Sequence, residues 1–213
     1  MLYALFRIIF WAIVFLTVYS FCIRTKRVVN KRRFGVLTLV LCAVLCSVTG
    51  LIPVENLIIS FESPEDVLRY SRTGIVGDIE YIAHGNDSSI LIYSTADTQS
   101  IRGHFIVPRS SSGYKIPTPF SVRRVMQSYG SSTSIRVFNF DIFSVEGTDD
   151  YYIVGFFFTP NDTNIVDNNG NVIKQISTWN ETLNEYIIYV FSYIENFGNE
   201  YYLLINGEKL TIG

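Results

Sequence analysis

RTKRVVNKRR, residues 24–33, places six basic residues and no acid between two long apolar runs. The first run is LYALFRIIFWAIVFLTVYSFCI, residues 2–23, and the second is FGVLTLVLCAVLCSVTGLI, residues 34–52. Nineteen residues of helix, the length of the second run, span about 28 Å, close to the hydrocarbon thickness of a bilayer. Two such runs in tandem, cut by a charged loop, rarely pack inside a small soluble domain, so they read as a two-helix transmembrane hairpin. Short loops rich in Lys and Arg stay on the cytoplasmic side. The basic loop 24–33 is therefore expected inside, with the N-terminus and everything after residue 53 outside a plasma membrane. Its cations also suit anionic lipid headgroups. Arg7 interrupts the first run near its outer end and is expected to snorkel toward the headgroups.

Charge sorting gives the same division. The overall net charge of −2 averages two unlike parts. Residues 1–50 hold seven basic residues and no acid, while residues 51–213 hold the other ten basic residues against all nineteen acids, a net of −9. An acidic region of that kind repels phosphate, so no nucleic-acid partner is expected, and Arg123-Arg124 alone makes a poor footprint for one. The KRR sequence before an apolar run is also the form of an export signal, with Val48-Thr49-Gly50 offering a cleavage site after Gly50. The membrane helix that precedes it favours an uncleaved anchor. Cys22, Cys42 and Cys46 all fall in the apolar runs and read as small packing residues. Leu41 and Leu45 stand where a lipoprotein signal needs a small residue. Without cysteine, the region beyond the membrane must be held by its core.

Residues 54–62 read as a tether. SPEDVLRY, 63–70, predicts a short helix: Ser63 can cap it, Pro64 suits its first turn, and Glu65 and Asp66 favour the positive end of the dipole. Strand patterns follow at 78–84, 89–95, 100–108, 134–145, 151–159 and 185–195, punctuated by GNDS, EGTDD and DNNG. RSSSGYKIPTP, 109–119, reads as a loop or edge because Pro117 and Pro119 cannot donate to a ladder. In EYYLLINGEKLTI, 200–212, two alternating runs flank Asn206-Gly207, the pair suited to a two-residue hairpin turn. The expected architecture is a predominantly antiparallel β region over 63–213, sandwich-like or barrel-like, with one short N-terminal helix.

The search for chemistry yields scattered groups. His84 and His104 lie on separate predicted strands and could meet across a sheet, but no carboxylate accompanies either at ligand spacing. Ser112 and Lys115 match S-x-x-K in form only; Gly113 and Pro117 argue against the helix that motif requires, and its companion motifs are missing from the sequence. Glu146, Asp149 and Asp150 could gather around a cation, and Asp162 and Asp167 flank another turn; acidic turns are also simply soluble turns. Asn86, Asn161 and Asn180 begin N-x-[ST] triplets, which matter only in a glycosylating secretory route. No catalytic residue, metal site or cofactor is assigned. Fourteen Tyr and sixteen Phe supply core, with a surplus suited to a binding face.

SPEDVLRYS, SGYKIPTPF, GTDDYYIVG and EYYLLINGEKL resemble segments of small exported or membrane-anchored proteins of Gram-positive bacteria that have no known activity. The resemblance covers residues 62–213 and implies an envelope location and a β-rich region, with no site residues to carry over. The expected function is interaction: an anchored module that binds a membrane or envelope protein, or an envelope ligand. The alternatives are an anchored envelope hydrolase and an immunity-like protein that acts through its helices.

Overall fold

Largely apolar sequence without Pro or Gly makes α1, Leu2–Arg24, and Asn30 caps α2, Lys31–Val48, by accepting from the Arg33 amide at 3.1 Å. The computed structural model describes residues 2–25, 30–49, 53–72, 74–95, 102–131, 135, 137–159, 163–198 and 200–211, with backbone alone at 2–5, 102 and 137. Lys26, Arg27, Gly50, Asn161 and Asp162 lie outside the described residues. The two helices run antiparallel. Trp11 Nε1 donates to Thr49 Oγ1 at 3.0 Å near one end, and the Tyr19 and Phe34 rings stack at 6.3 Å near the other.

Among the described residues one helix, over Phe6–Arg24, is long and apolar enough to cross a bilayer. The second helix starts three residues earlier than its apolar run, so Lys31, Arg32 and Arg33 occupy its first turn. Its described apolar stretch, 34–48, then reaches only about 22 Å.

Arg7 departs from expectation. It is 6% exposed, and its Nε lies 3.3 Å from Oε1 of Glu55, which is fully buried. The segment 54–62 is structured as well. Val54–Leu57 forms a 3₁₀ turn whose Ile58 and Ile59 amides both return to the Glu55 carbonyl, at 2.9 and 2.7 Å. Asn56 then exchanges two 2.8 Å hydrogen bonds with the backbone of Ile116, sixty residues away.

Next comes α3, Pro64–Ser71, where Ser63 Oγ accepts from the Asp66 amide as its sequence predicts. The remainder is antiparallel β structure in three sheets. The first is a meander of β1 (Val76–His84), β2 (Ser88–Thr95), β3 (Arg102–Ser110) and the two-residue β4 (Gly113–Tyr114). The second orders β5 (Val122–Gly130), β6 (Val137–Val145), β7 (Tyr151–Thr159), β10 (Glu185–Ile194) and β9 (Gln175–Asn180). The third joins β12 (Glu208–Thr211), β11 (Tyr202–Ile205) and β8 (Ile165–Asp167). Asn206 and Gly207 both take positive φ, 52° and 85°, as the hairpin between β11 and β12 requires.

Side-chain alternation shows how these layers stack. In β2, Leu91 and Tyr93 pack with Val67 and Leu68 of α3, while Ile90 and Ile92 pack with Tyr152 and Phe191 of the second sheet. β2 is therefore buried on both faces rather than on the one that an alternating strand predicts. The opposite face of the second sheet offers Phe140, Ile153, Phe157 and Ile188 to Ile165, Leu203 and Leu210 of the third. The order of layers is helix, sheet, sheet, sheet: a sandwich with one layer added.

Candidate functional site

The groups singled out in the sequence do not converge. His84 and His104 occupy opposite faces of the first sheet. His84 stands across from Ser89 and is exposed, with Nδ1 2.8 Å from Ser89 Oγ. His104 stands across from Ile92, on the side that meets the second sheet, with its ring 5.0 Å from that of Phe143. Lys115 is an ammonium clamp: Nζ donates to Asn56 O at 3.0 Å, Ile59 O at 3.3 Å and Ser60 Oγ at 2.8 Å. Among the described residues Lys115 meets Ser112 only through Ser60, whose Oγ donates to Ser112 Oγ at 3.3 Å; Ser112 Oγ also lies 3.0 Å from that of Ser110.

The acidic trio also separates. Glu146 and Asp149 are exposed, whereas Asp150 turns inward. Its carboxylate accepts from the Asn86 and Asp87 amides, both at 2.9 Å, and from Ser88 Oγ at 2.5 Å. Ser88 Oγ in turn meets Tyr152 Oη at 2.9 Å. Asp150 thus fastens the β1–β2 turn to the second sheet. Burial, only partly offset by the bond to Ser88, pushes the Tyr152 phenol well up. Asp167 folds its own turn, accepting from the Asn169 and Asn171 amides at 2.9 and 2.8 Å. Asn86 Nδ2 donates to Tyr193 Oη at 3.2 Å, Asn180 caps a turn through the Leu183 amide at 3.0 Å, and Arg124 pairs with Asp141 at 3.3 Å on the surface. Among the described residues no group of three or more His, Cys, Asp and Glu side chains could hold a metal ion.

What the fold does build is a cleft at the outer edge of β3. On β3, β4 covers only Arg109 and Ser110, its Tyr114 bridging Phe61 on the other side, and below Pro108 that edge has no strand partner among the described residues. The cleft holds about 400 Å³, within the size range of ligand sites. Pro117, Pro119 and Val122 face Phe105 and Ile106 across it, and Arg72 and His104 supply its polar atoms. The Pro108 carbonyl accepts from the Lys115 amide at 3.0 Å on this edge. Because backbone groups alternate sides along an antiparallel strand, those of Ile106 and His104 point the same way, into the cleft.

Arg72 arrives from the end of α3. Its Nη1 donates to Tyr93 Oη at 2.8 Å, and its guanidinium lies over the Phe105 ring at 5.3 Å. Gly103, opposite Tyr93 in the ladder, makes this arrangement fit: a Cβ there would lie 2.5 Å from the Tyr93 ring. Behind His104 is a gap of about 30 Å³ between the sheets, room for one water. Burial holds the His104 pKa below its ordinary value; Asp141 opposes the shift and Arg72 adds to it. At neutral pH the cleft therefore carries one fixed cation, Arg72, and a neutral imidazole.

Pro117 and Pro119 already marked 109–119 as a loop or edge in the sequence. Arg72 was not legible, since nothing local connects it to a strand thirty residues on. Comparison with models of known protein families, with curated proteins and with solved structures returns no match.

Proposed function

We propose that this chain is a membrane-anchored interaction module that holds its acidic β layers on the outer face of the plasma membrane and receives an extended peptide segment in the β3 cleft. The observation that carries this reading is the open edge itself. Backbone donors and acceptors at His104 and Ile106, without a strand partner among the described residues, are a template for strand addition, and the proline-lined wall opposite limits what can enter. Arg72 favours a segment that brings a carboxylate, on a surface otherwise acidic. The separation of His84 from His104, and the structural bonds that hold Asp150, favour the interaction reading over the hydrolase alternative.

Two apolar helices packed antiparallel, with basic residues concentrated where they join, support a two-pass anchor with that junction in the cytoplasm. They fit the envelope setting that the Gram-positive resemblance implies. The helix-acting alternative has one observation in its favour: a groove of about 270 Å³ between α1 and α2, lined by Trp11, Phe15, Cys42 and Cys46.

The test is photo-crosslinking in native membranes from three positions: Thr118 in the cleft, Tyr129 on β5, and Leu39 in the helix groove. Adducts from Thr118 that disappear with Arg72→Glu support the cleft. Adducts from Leu39 alone would transfer the function to the helices, and adducts from Tyr129 alone would move it to the edge of the second sheet.

A further inference from the structure

We infer that the turn over residues 54–59 is a lipid-seated foot, with Leu57 and Ile58 placed in the headgroup–acyl boundary of the leaflet at the N-terminal end of α1. The inference rests on the membrane-anchored reading above.

Depth comes first. The Arg7–Glu55 contact of 3.3 Å sets Glu55 level with Arg7. Helix α1 is 23 residues long, about 34 Å, and Arg7 lies seventeen residues, about 26 Å, from its Arg24 end. A hydrocarbon core of about 30 Å measured from that end closes above Arg7, among the apolar residues Leu2–Phe6. Glu55 therefore sits about one helical turn below the outer boundary. Leu57 and Ile58 follow two and three residues on, within about 6 Å of it at the 3₁₀ rise of about 2 Å per residue.

Exposure points the same way. Leu57 is 87% and Ile58 70% exposed, side by side, with no place in any of the three apolar clusters. Each would be favoured by leaving water. On the helices, Ile8, Ile9, Val44 and Val48 are exposed as well.

The backbone is equipped for a dry setting. The Asn56 amide reaches the Pro53 carbonyl at 3.1 Å, and the Ile58 and Ile59 amides reach Glu55. Three amides paired internally lower the cost of bringing the turn into a poorly hydrated layer. Its polar side is already taken, because Asn56 clasps Ile116 and Lys115 grips the Asn56 and Ile59 carbonyls. The aliphatic pair is what remains to face outward. Through that clasp the foot sets the β layers at a fixed height against the bilayer.

The experiment uses the full chain in phosphatidylcholine vesicles, with Cys22→Ser, Cys42→Ala and Cys46→Ala. Spin labels are attached one at a time at Leu57→Cys, at Leu41→Cys in the middle of α2, and at Tyr129→Cys on the β layers. Collisions with oxygen report lipid, and collisions with a water-soluble nickel chelate report solvent. Position 57 is expected to favour oxygen, less than position 41 and unlike position 129. A label at 57 that matches 129 while 41 stays in lipid overturns the inference and leaves the anchor standing. Shielding of 57 from both reagents means that protein covers it, which also overturns the inference. Solvent access at 41 would sink the anchor and the foot together.

Discussion

Replacing Arg7 with Met removes a guanidinium from beside a carboxylate that has no exposure to water. Oε2 of Glu55 is already buried without a hydrogen-bond partner among the described residues, so the charge left behind has little else to lean on. Loss of one member of a buried ion pair costs about 3–5 kcal/mol. The strain falls on the 54–59 turn, where the Ile58 and Ile59 amides both close on the Glu55 carbonyl. At about 1.4 kcal/mol per factor of ten, opening of that turn should rise by roughly two to three and a half powers of ten. Hydrogen exchange at Ile58 and Ile59, followed by mass spectrometry on protein in lipid nanodiscs, reads that change. Glu55→Leu alone should also speed exchange, because it takes the carboxylate away from the buried guanidinium. The double variant replaces both charges with apolar groups and should return to within about tenfold of the wild type, since such replacements are often neutral. If Arg7→Met alone changes exchange by less than about threefold, near 0.6 kcal/mol, the guanidinium reaches the headgroups after all. The turn would then be held by Asn56 and Lys115.

Three further outcomes follow from the β layers. Asp150→Ala should lower stability by about 3 kcal/mol or more in urea titration of the full chain in detergent, because three donors that share one carboxylate lose it together. Gly155→Ala would drive a methyl into the Asn139 carbonyl and the Phe140 ring and should cost at least about 3 kcal/mol, whereas Gly170→Asn, at φ +82° in open space, should cost under about 1 kcal/mol by the same titration. His104 has its folded pKa lowered by burial, so the unfolded chain takes up the proton first as pH falls. Its contribution is complete above about pH 6.5 and is lost as pH falls below that; comparing urea midpoints at pH 7.5 and 5.0, the wild type should lose more than His104→Gln, and equal losses would mean that the ring is solvated in both states.

Local chemistry made several elements readable in advance. Ser63, Pro64 and the acids after them predict α3, and Asn206-Gly207 predicts the last hairpin, because each depends on residues within a turn of one another. Strands β6, β7 and β10 announced themselves through dense aromatic and β-branched runs. β5 did not. Its sequence VRRVMQSYG has sparse apolar positions, its strand is mostly exposed, and a bulge between Arg124 and Met126 breaks the period of two. What the sequence hid altogether were contacts between distant positions: Arg7 with Glu55, Asn56 with Ile116, Asn86 with Asp150. Arg7 looked like a lone cation at a helix end, because its counter-charge lies forty-eight residues away. The cleft was half legible, through its prolines, and half not, since Arg72 reaches it only once α3 has packed on β2.

The strand order also fixes a sequence of events for a chain that emerges from its N-terminal side. Every strand of the first sheet pairs with its neighbour in the chain, so that layer can close once Tyr114 is available. The second cannot: β7 must wait for β10, whose Tyr186–Ile194 lies against Tyr151–Thr159, and β9 attaches only through β10. Until then Phe140, Ile153 and Phe157 have neither their edge partner nor the third sheet that covers them. A newly delivered molecule would pass through an interval with a bare aromatic slab beside a finished meander, the stage at which chains of this size stick to one another. Delay in delivering the last thirty residues should therefore show up as clumping rather than as a slow approach to the native form.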